Sequence, residues 1–201
     1  GTIDVVVNNA GYGLISSPES IIDSDVRKNF DVNVFAAINV VKNILPLMRK
    51  QRSGYIFNMG SVAGFAGAPG WSVYSAAKAA IAAFSEVLAA DVKEFNVKVT
   101  VVEPSAFKTG FLSSDSLIDL GAEAGEYTAV ANARDRYLAG NGSQPGDPEK
   151  AAEILIGLSE LEIPPLHLYL GKDAYQRASA KLSTMTSEIE AWKKTSLSAD
   201  F

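Results

Sequence analysis

The feature that most limits what this chain can fold into is the alternation of short apolar runs with longer segments of helical period. Residues 3–7, 55–57, 97–102 and 166–170 are brief runs rich in β-branched and aromatic side chains, ended by turn residues or by proline. Between and after them, residues 25–49, 71–95, 148–160 and 173–192 repeat their apolar side chains every three or four positions. The clearest case is Val73, Ala77, Ala80, Phe84, Leu88, Val92 and Phe95, in a segment free of Gly and Pro. Asp147 is placed to cap the segment that Pro148 opens, and Pro46 should kink the last turn of the segment at 25–49. Strands that alternate with helices in this way form βαβ units, and strands that are continuously apolar are buried on both faces. The expected fold is α/β: about four parallel strands with flanking helices, part of a doubly wound sheet.

Composition removes several function classes. The chain has 201 residues with 18 Lys+Arg against 23 Asp+Glu, a net charge of −5, so it offers no basic footprint for nucleic acid or for an anionic membrane. It contains no Cys and one His, His167, which removes disulfides, thiol nucleophiles and Cys-ligated metal, and no metal site is expected. No run of about 18 apolar residues marks a membrane span, and the first residues lack the basic start of a leader peptide. A cytoplasmic protein without nucleic-acid or membrane partners is therefore expected.

In open α/β sheets ligands bind beyond the carboxyl ends of the strands. At those ends stand Asn8-Asn9-Ala10-Gly11, then Gly60-Ser61, then Glu103-Pro104-Ser105. Tyr74 and Lys78 lie one helical turn apart just inside the helix at 71–95, with Ser61 13 residues upstream of Tyr74. A Tyr-x-x-x-Lys pair alone is a weak signal; its position among these turns, with Asn33 on the intervening helix, is what raises it. A phenol with a pKa near 10 is a poor acid at neutral pH unless a cation stabilises its anion, and Lys78 is spaced to do that.

The strings VVVNNAGYG at 5–13, DVNVFAA at 31–37, NMGSVAGFAG at 58–67, YSAAKAA at 74–80 and VVEPSAFKTGF at 101–111 resemble the short-chain dehydrogenase/reductase family in order and spacing. GDPEKAAE at 146–153 and HLYLGKDA at 167–174 resemble the same family's last helix–strand–helix unit. The resemblance implies a Rossmann-like fold and an NAD- or NADP-dependent oxidoreductase that interconverts an alcohol and a carbonyl. It gives the catalytic set as Asn33, Ser61, Tyr74 and Lys78. Tyr74 exchanges the proton, Ser61 hydrogen-bonds the reacting oxygen, Lys78 lowers the Tyr74 pKa and holds the nicotinamide ribose, and Asn33 fixes a water leading to Lys78. Cofactor contacts fall to Asn8, Asn9, Ala10 and Gly11 on the adenosine side, largely through backbone, and to Pro104, Phe107 and Thr109 at the nicotinamide end. Pro104-Ser105 departs from the family's usual Pro-Gly. Family members often dimerise, so a homo-oligomer is expected, and the small-residue face Ala76, Ala79, Ala80 and Ala83 could permit close contact between subunits.

Other features have plainer readings. His167, between Leu166 and Leu168, reads as a core or edge histidine. Asn29 competes with Asn33 one turn earlier. Gly60, Gly64 and Gly67 imitate a phosphate loop, but Pro69-Gly70 intervenes before the next long helix and no Asp or Glu stands between Val62 and Ser85 to meet a ribose. They read as a flexible Ser61-bearing loop, with Phe65 and Trp71 near the substrate. Asn141-Gly142-Ser143 reads as a turn. Tyr175, Ala178, Leu182, Met185, Ile189 and Trp192 read as a helix face packed on its own domain, with a two-helix seam as the alternative. Residues 105–147 form the long irregular stretch, with a helix near 126–138, and read either as a substrate lid or as a packed flap; their Phe107, Phe111, Leu112, Leu117, Ile118 and Leu120 suit a lipophilic alcohol or ketone.

The family's Thr-Gly-x-x-x-Gly-x-Gly cofactor loop does not occur in the 201 residues. The expectation is one Rossmann-like domain over residues 1–201, truncated at its N-terminal side, whose first strand would otherwise be a bare apolar edge. Two alternatives to a dehydrogenase stay open at this point. One is a non-catalytic fragment or cofactor-free binding module of the same fold. The other is a nucleotide-sugar epimerase, which the 123 residues after Lys78 disfavour.

Overall fold

A computed structural model describes residues 1–121 and 126–200. Its main sheet has four strands, β1 (Val5–Asn8), β3 (Gly54–Met59), β4 (Val97–Pro104) and β6 (His167–Leu170), in the order β1-β3-β4-β6, all parallel. Helices cover both faces, as the alternation in the sequence requires. On one face α2 (Ala36–Gln51) and α4 (Ser72–Val92) lay Val41, Met48, Leu88 and Val92 against Ile56, Val97 and Val99. On the other, α6 (Pro148–Ser159) packs Ala151, Leu155 and Leu158 near Tyr55, Phe57, Val102 and Leu170. Asp23–Gln51 and Ser72–Phe95 have the length and hydropathy of membrane spans, a property that the separate 18-residue run does not capture. Here Val41, Met48, Leu88 and Val92 pack on the sheet, while Phe35, Val40 and Val87 are exposed.

Local chemistry accounts for most boundaries. Asp147 accepts from the backbone N–H of Glu149 at 2.9 Å and caps α6. α2 passes through Pro46 and ends at Arg52, whose φ of 57° closes the helix in the left-handed conformation. The segment expected as one helix over 25–49 is instead α1 (Asp23–Phe30), a wide π-helical turn at Asp31–Phe35, and α2.

A second, two-stranded sheet was not foreseen. β2 (Gly13–Ile15) pairs in parallel with β5 (Leu117–Asp119), which belongs to the 105–147 segment. That segment also contains α5 (Thr128–Ala139) and returns to the main body where Gly146 bonds Ala106 and Lys108. Its described parts are packed, with Leu112, Leu117, Val130 and Ala133 buried. The short helix α3 (Val62–Phe65) replaces the flexible loop expected after Ser61, because the Ser61 hydroxyl accepts from Ala63 N–H at 3.1 Å and starts a turn.

The last helix, α7 (Lys172–Leu197), corrects another expectation. Only its first turns are packed: Ala174 and Ala178 are buried, whereas Tyr175, Leu182, Ile189 and Trp192 are all more than half exposed. The apolar stripe therefore runs off the domain after Ala178.

Candidate active site

Each strand end delivers its residues to one place. Tyr74, in the first turn of α4, is 6% exposed and packs edge-on to Trp71 with ring centroids 5.3 Å apart. Lys78, one turn on, is 4% exposed and donates from Nζ to the Met59 carbonyl at the end of β3, 2.7 Å away. Ser61, two residues beyond that carbonyl, spends an acceptor lone pair on Ala63 N–H, which leaves its hydroxyl proton free for Tyr74. The four-residue spacing of Tyr74 and Lys78 works because both point from one face of α4 toward the β3 carboxyl end.

Asn33 joins them through the π-turn. Its amide N–H groups donate to the Tyr12 and Asn29 carbonyls at 3.1 and 3.0 Å, and its Oδ1 is buried with no partner among the described residues. A methyl group on Gly11 would lie 2.6 Å from that Oδ1 and 3.2 Å from Lys78 Nζ, so glycine is required where the chain passes between them. Asn29, the competing residue, also donates to Tyr12 but from one turn away. What distinguishes Asn33 is that its Oδ1 lies beside Gly11, as Lys78 Nζ does.

Ser61, Tyr74 and Lys78 open onto a cavity of about 470 Å³, whose wall does not include Asn33. Asn9, Gly11, Pro104, Phe107 and Thr109 line it, as do Ser61, Tyr74 and Lys78. Asn8 and Ala10 are not on its wall. Asn8 instead donates to Asn58 Oδ1 at 2.8 Å, and Asn58 donates to Ser85 at 2.9 Å, a polar link from β1 through β3 to α4 that no motif announced. Thr109 accepts from Phe111 N–H at 3.3 Å and starts the turn that brings Phe111 to Tyr74, ring centroids 5.6 Å apart. Tyr137, Gln144, Leu155 and Arg177 also reach the cavity from the flap, α6 and α7, positions too distant in sequence for any spacing argument. Trp71 is on the wall as expected; Phe65 is not, and faces Tyr169 beside a second cavity.

Electrostatics depart from expectation at one point. Burial pushes the Tyr74 phenol well above the ordinary tyrosine range, and the Ser61 hydrogen bond only partly opposes it. Burial also lowers the Lys78 ammonium, to about 8. Lys78 Nζ lies 5.7 Å from the phenol ring centroid, and desolvation is the larger effect on the Tyr74 phenol, ahead of the Ser61 hydrogen bond. Away from the cavity, His167 lies between Glu103 at 2.9 Å and Glu86 at 3.3 Å, an edge-strand histidine in a carboxylate setting. Burial raises Glu103 despite that partner.

The family model described as short chain dehydrogenase matches residues 1–117. Oxidoreductase BOA17 of Botryotinia fuckeliana is 36% identical over 199 residues, 99% of this chain and 72% of the relative. A 3-ketodihydrosphingosine reductase of Bacteroides thetaiotaomicron is 38% identical over 127 residues, and the match spans 63% of this chain but only 47% of that protein. Among solved structures, a short-chain dehydrogenase from Streptomyces avermitilis superposes with a TM-score of 0.91 at 35% identity, covering 100% of this chain and 72% of its own. With the parallel sheet, the Ser61-Tyr74-Lys78 cluster at its carboxyl edge and these matches, the chain belongs to the short-chain dehydrogenase family of oxidoreductases.

Proposed function

We propose that this chain carries the reaction centre of an NAD(P)-dependent oxidoreductase that reduces the carbonyl of a lipophilic substrate. The observation that carries the reading is Tyr74: a buried phenol kept protonated, in contact with Ser61 and one turn from Lys78, on the wall of a mainly apolar cavity.

The residues present fit the nicotinamide end of the cofactor. The Lys78 ammonium beside Gly11 suits ribose hydroxyls, Thr109 offers a hydroxyl on the same wall, and Asn33 Oδ1, buried next to Gly11, is an acceptor suited to a water. Once bound, the nicotinamide supplies the hydride. Tyr74 donates its proton to the carbonyl oxygen, which its raised pKa favours in the direction of reduction. Ser61 orients that oxygen with the hydroxyl proton left free by its capping role. Lys78 holds the ribose and provides positive charge beside the phenol as its proton leaves. Trp71, Phe111 and Tyr137 exclude water around it, with Trp71 5.2 Å from Tyr137 between ring centroids. The 3-keto substrate named for the Bacteroides relative belongs to that relative; it agrees with the apolar lining here.

Tyr74→Phe removes the proton donor and keeps the ring. Consumption of NADPH or NADH with a medium-chain ketone should fall about 100-fold or more, with the melting temperature nearly unchanged. Turnover within a few-fold of the parent would remove Tyr74 from this role.

A further inference from the structure

The wall of the cavity is apolar over most of its extent, yet two of its side chains end in donors that have no partner among the described residues. They are Trp71 Nε1 and Gln144 Nε2. Trp71 is 4% exposed and Gln144 8%, so neither donor is satisfied by bulk water. The amide of Gln144 has a fixed orientation, because Gly142 N–H donates to Oε1 at 2.8 Å and a backbone donor requires the oxygen. The free end is the amino group. The indole N–H is likewise only a donor. Gln144 also sits on rigid backbone: two residues on, Gly146 donates to Ala106 O at 3.1 Å and accepts from Lys108 N at 2.8 Å, beside Phe107 on the same wall.

Two unpaired donors on a buried wall select for an acceptor. We infer that the substrate carries, besides its reacting carbonyl, a second oxygen acceptor, an ester, ketone or hydroxyl oxygen, and that Gln144 Nε2 donates to it. Trp71 Nε1, on a ring 5.3 Å from that of Tyr74, is the second unpaired donor among the residues that line the cavity. This rests on the oxidoreductase reading for the identity of the reacting carbonyl, but the recognition itself is a binding property. A plain hydrocarbon ketone would leave both donors desolvated and unpaired, and a site built to donate discriminates against a ligand that lacks the acceptor.

The test compares medium-chain methyl ketones with oxo-esters of matched length, in a series that varies the spacing from ketone to ester. Binding is read by calorimetric titration and turnover with NADPH and NADH, for the protein and for Gln144→Glu. The Glu variant keeps an oxygen for Gly142 N–H and exchanges only the free donor for an acceptor. At the best spacing the oxo-ester should bind roughly tenfold tighter than the plain ketone, and in Gln144→Glu the ratio should fall to one or invert. Should that variant fail to fold, Gln144→Met, of the same length without a donor, should also bring the ratio to one. The inference is overturned if the two ligands bind alike or not at all, or if the preference survives loss of the Gln144 donor. A binding preference without turnover keeps the inference and removes the oxidoreductase reading; turnover without a preference does the reverse.

Discussion

The Lys78 ammonium donates to the Met59 carbonyl, and desolvation lowers its pKa from 10.5 to about 8. A group bound less tightly to its proton in the folded state destabilises that state while charged. The unfolded chain keeps the proton up to about pH 10.5, so folding becomes more favourable as pH rises from about 8 toward 10, by about 2 kcal/mol. Urea unfolding of the cofactor-free protein across this window should show that rise, and Lys78→Met should lack it. The slope is the readout, since the variant also strips Met59 of its donor. Tyr74, Lys78, Ser61 and Asn33 were legible because their spacing and flanking strings are local. The net effect on the Tyr74 phenol was not, because desolvation depends on Trp71, Phe111 and the flap, which the fold brings over it.

At the scale of elements, Gly64 shows how the site depends on close packing. It lies in α3, and a Cβ there would sit 2.7 Å from the Lys78 carbonyl carbon and 2.8 Å from Ala79 N, backbone atoms of α4 that cannot yield. Gly64→Ala should cost about 1–3 kcal/mol in thermal or urea unfolding. It should also lower turnover, because α3 carries Ser61 at its cap and must move away from the helix that carries Tyr74. Free tolerance of the substitution would mean that α3 and α4 are not in contact. The long helices and the Asp147 cap could be read from periodicity and cap chemistry. The π-turn at Asp31–Phe35 and the one-turn α3 could not, since each is fixed by contacts to other elements: Asn33 to Tyr12, and Gly64 to Lys78.

For the whole molecule, two apolar surfaces stand out. Among the described residues β1 pairs on one side only, with β3, and Val5 and Val7 on it are 42% and 47% exposed. α7 leaves the domain after Ala178, with Ile189 and Trp192 65% and 64% exposed. A helix without tertiary contacts has little to hold it. Amide hydrogen exchange should therefore be slow near Ala174 and Ala178 and fast from about Met185 onward. Protection that stays high to Trp192 would show that the stripe is covered in solution, as a homo-oligomer would require.

The order of strands and helices, the amphipathic faces and the Tyr74–Lys78 spacing followed from the sequence alone, because each depends on residues within a few turns of one another. The tertiary structure decided what lies between distant segments. It paired β5 with β2, gave Asn8 to Asn58, set Gln144 and Trp71 on one cavity wall, and left the α7 stripe uncovered. Those outcomes turn on burial and on which polar atoms find partners across the fold, quantities that no local pattern contains.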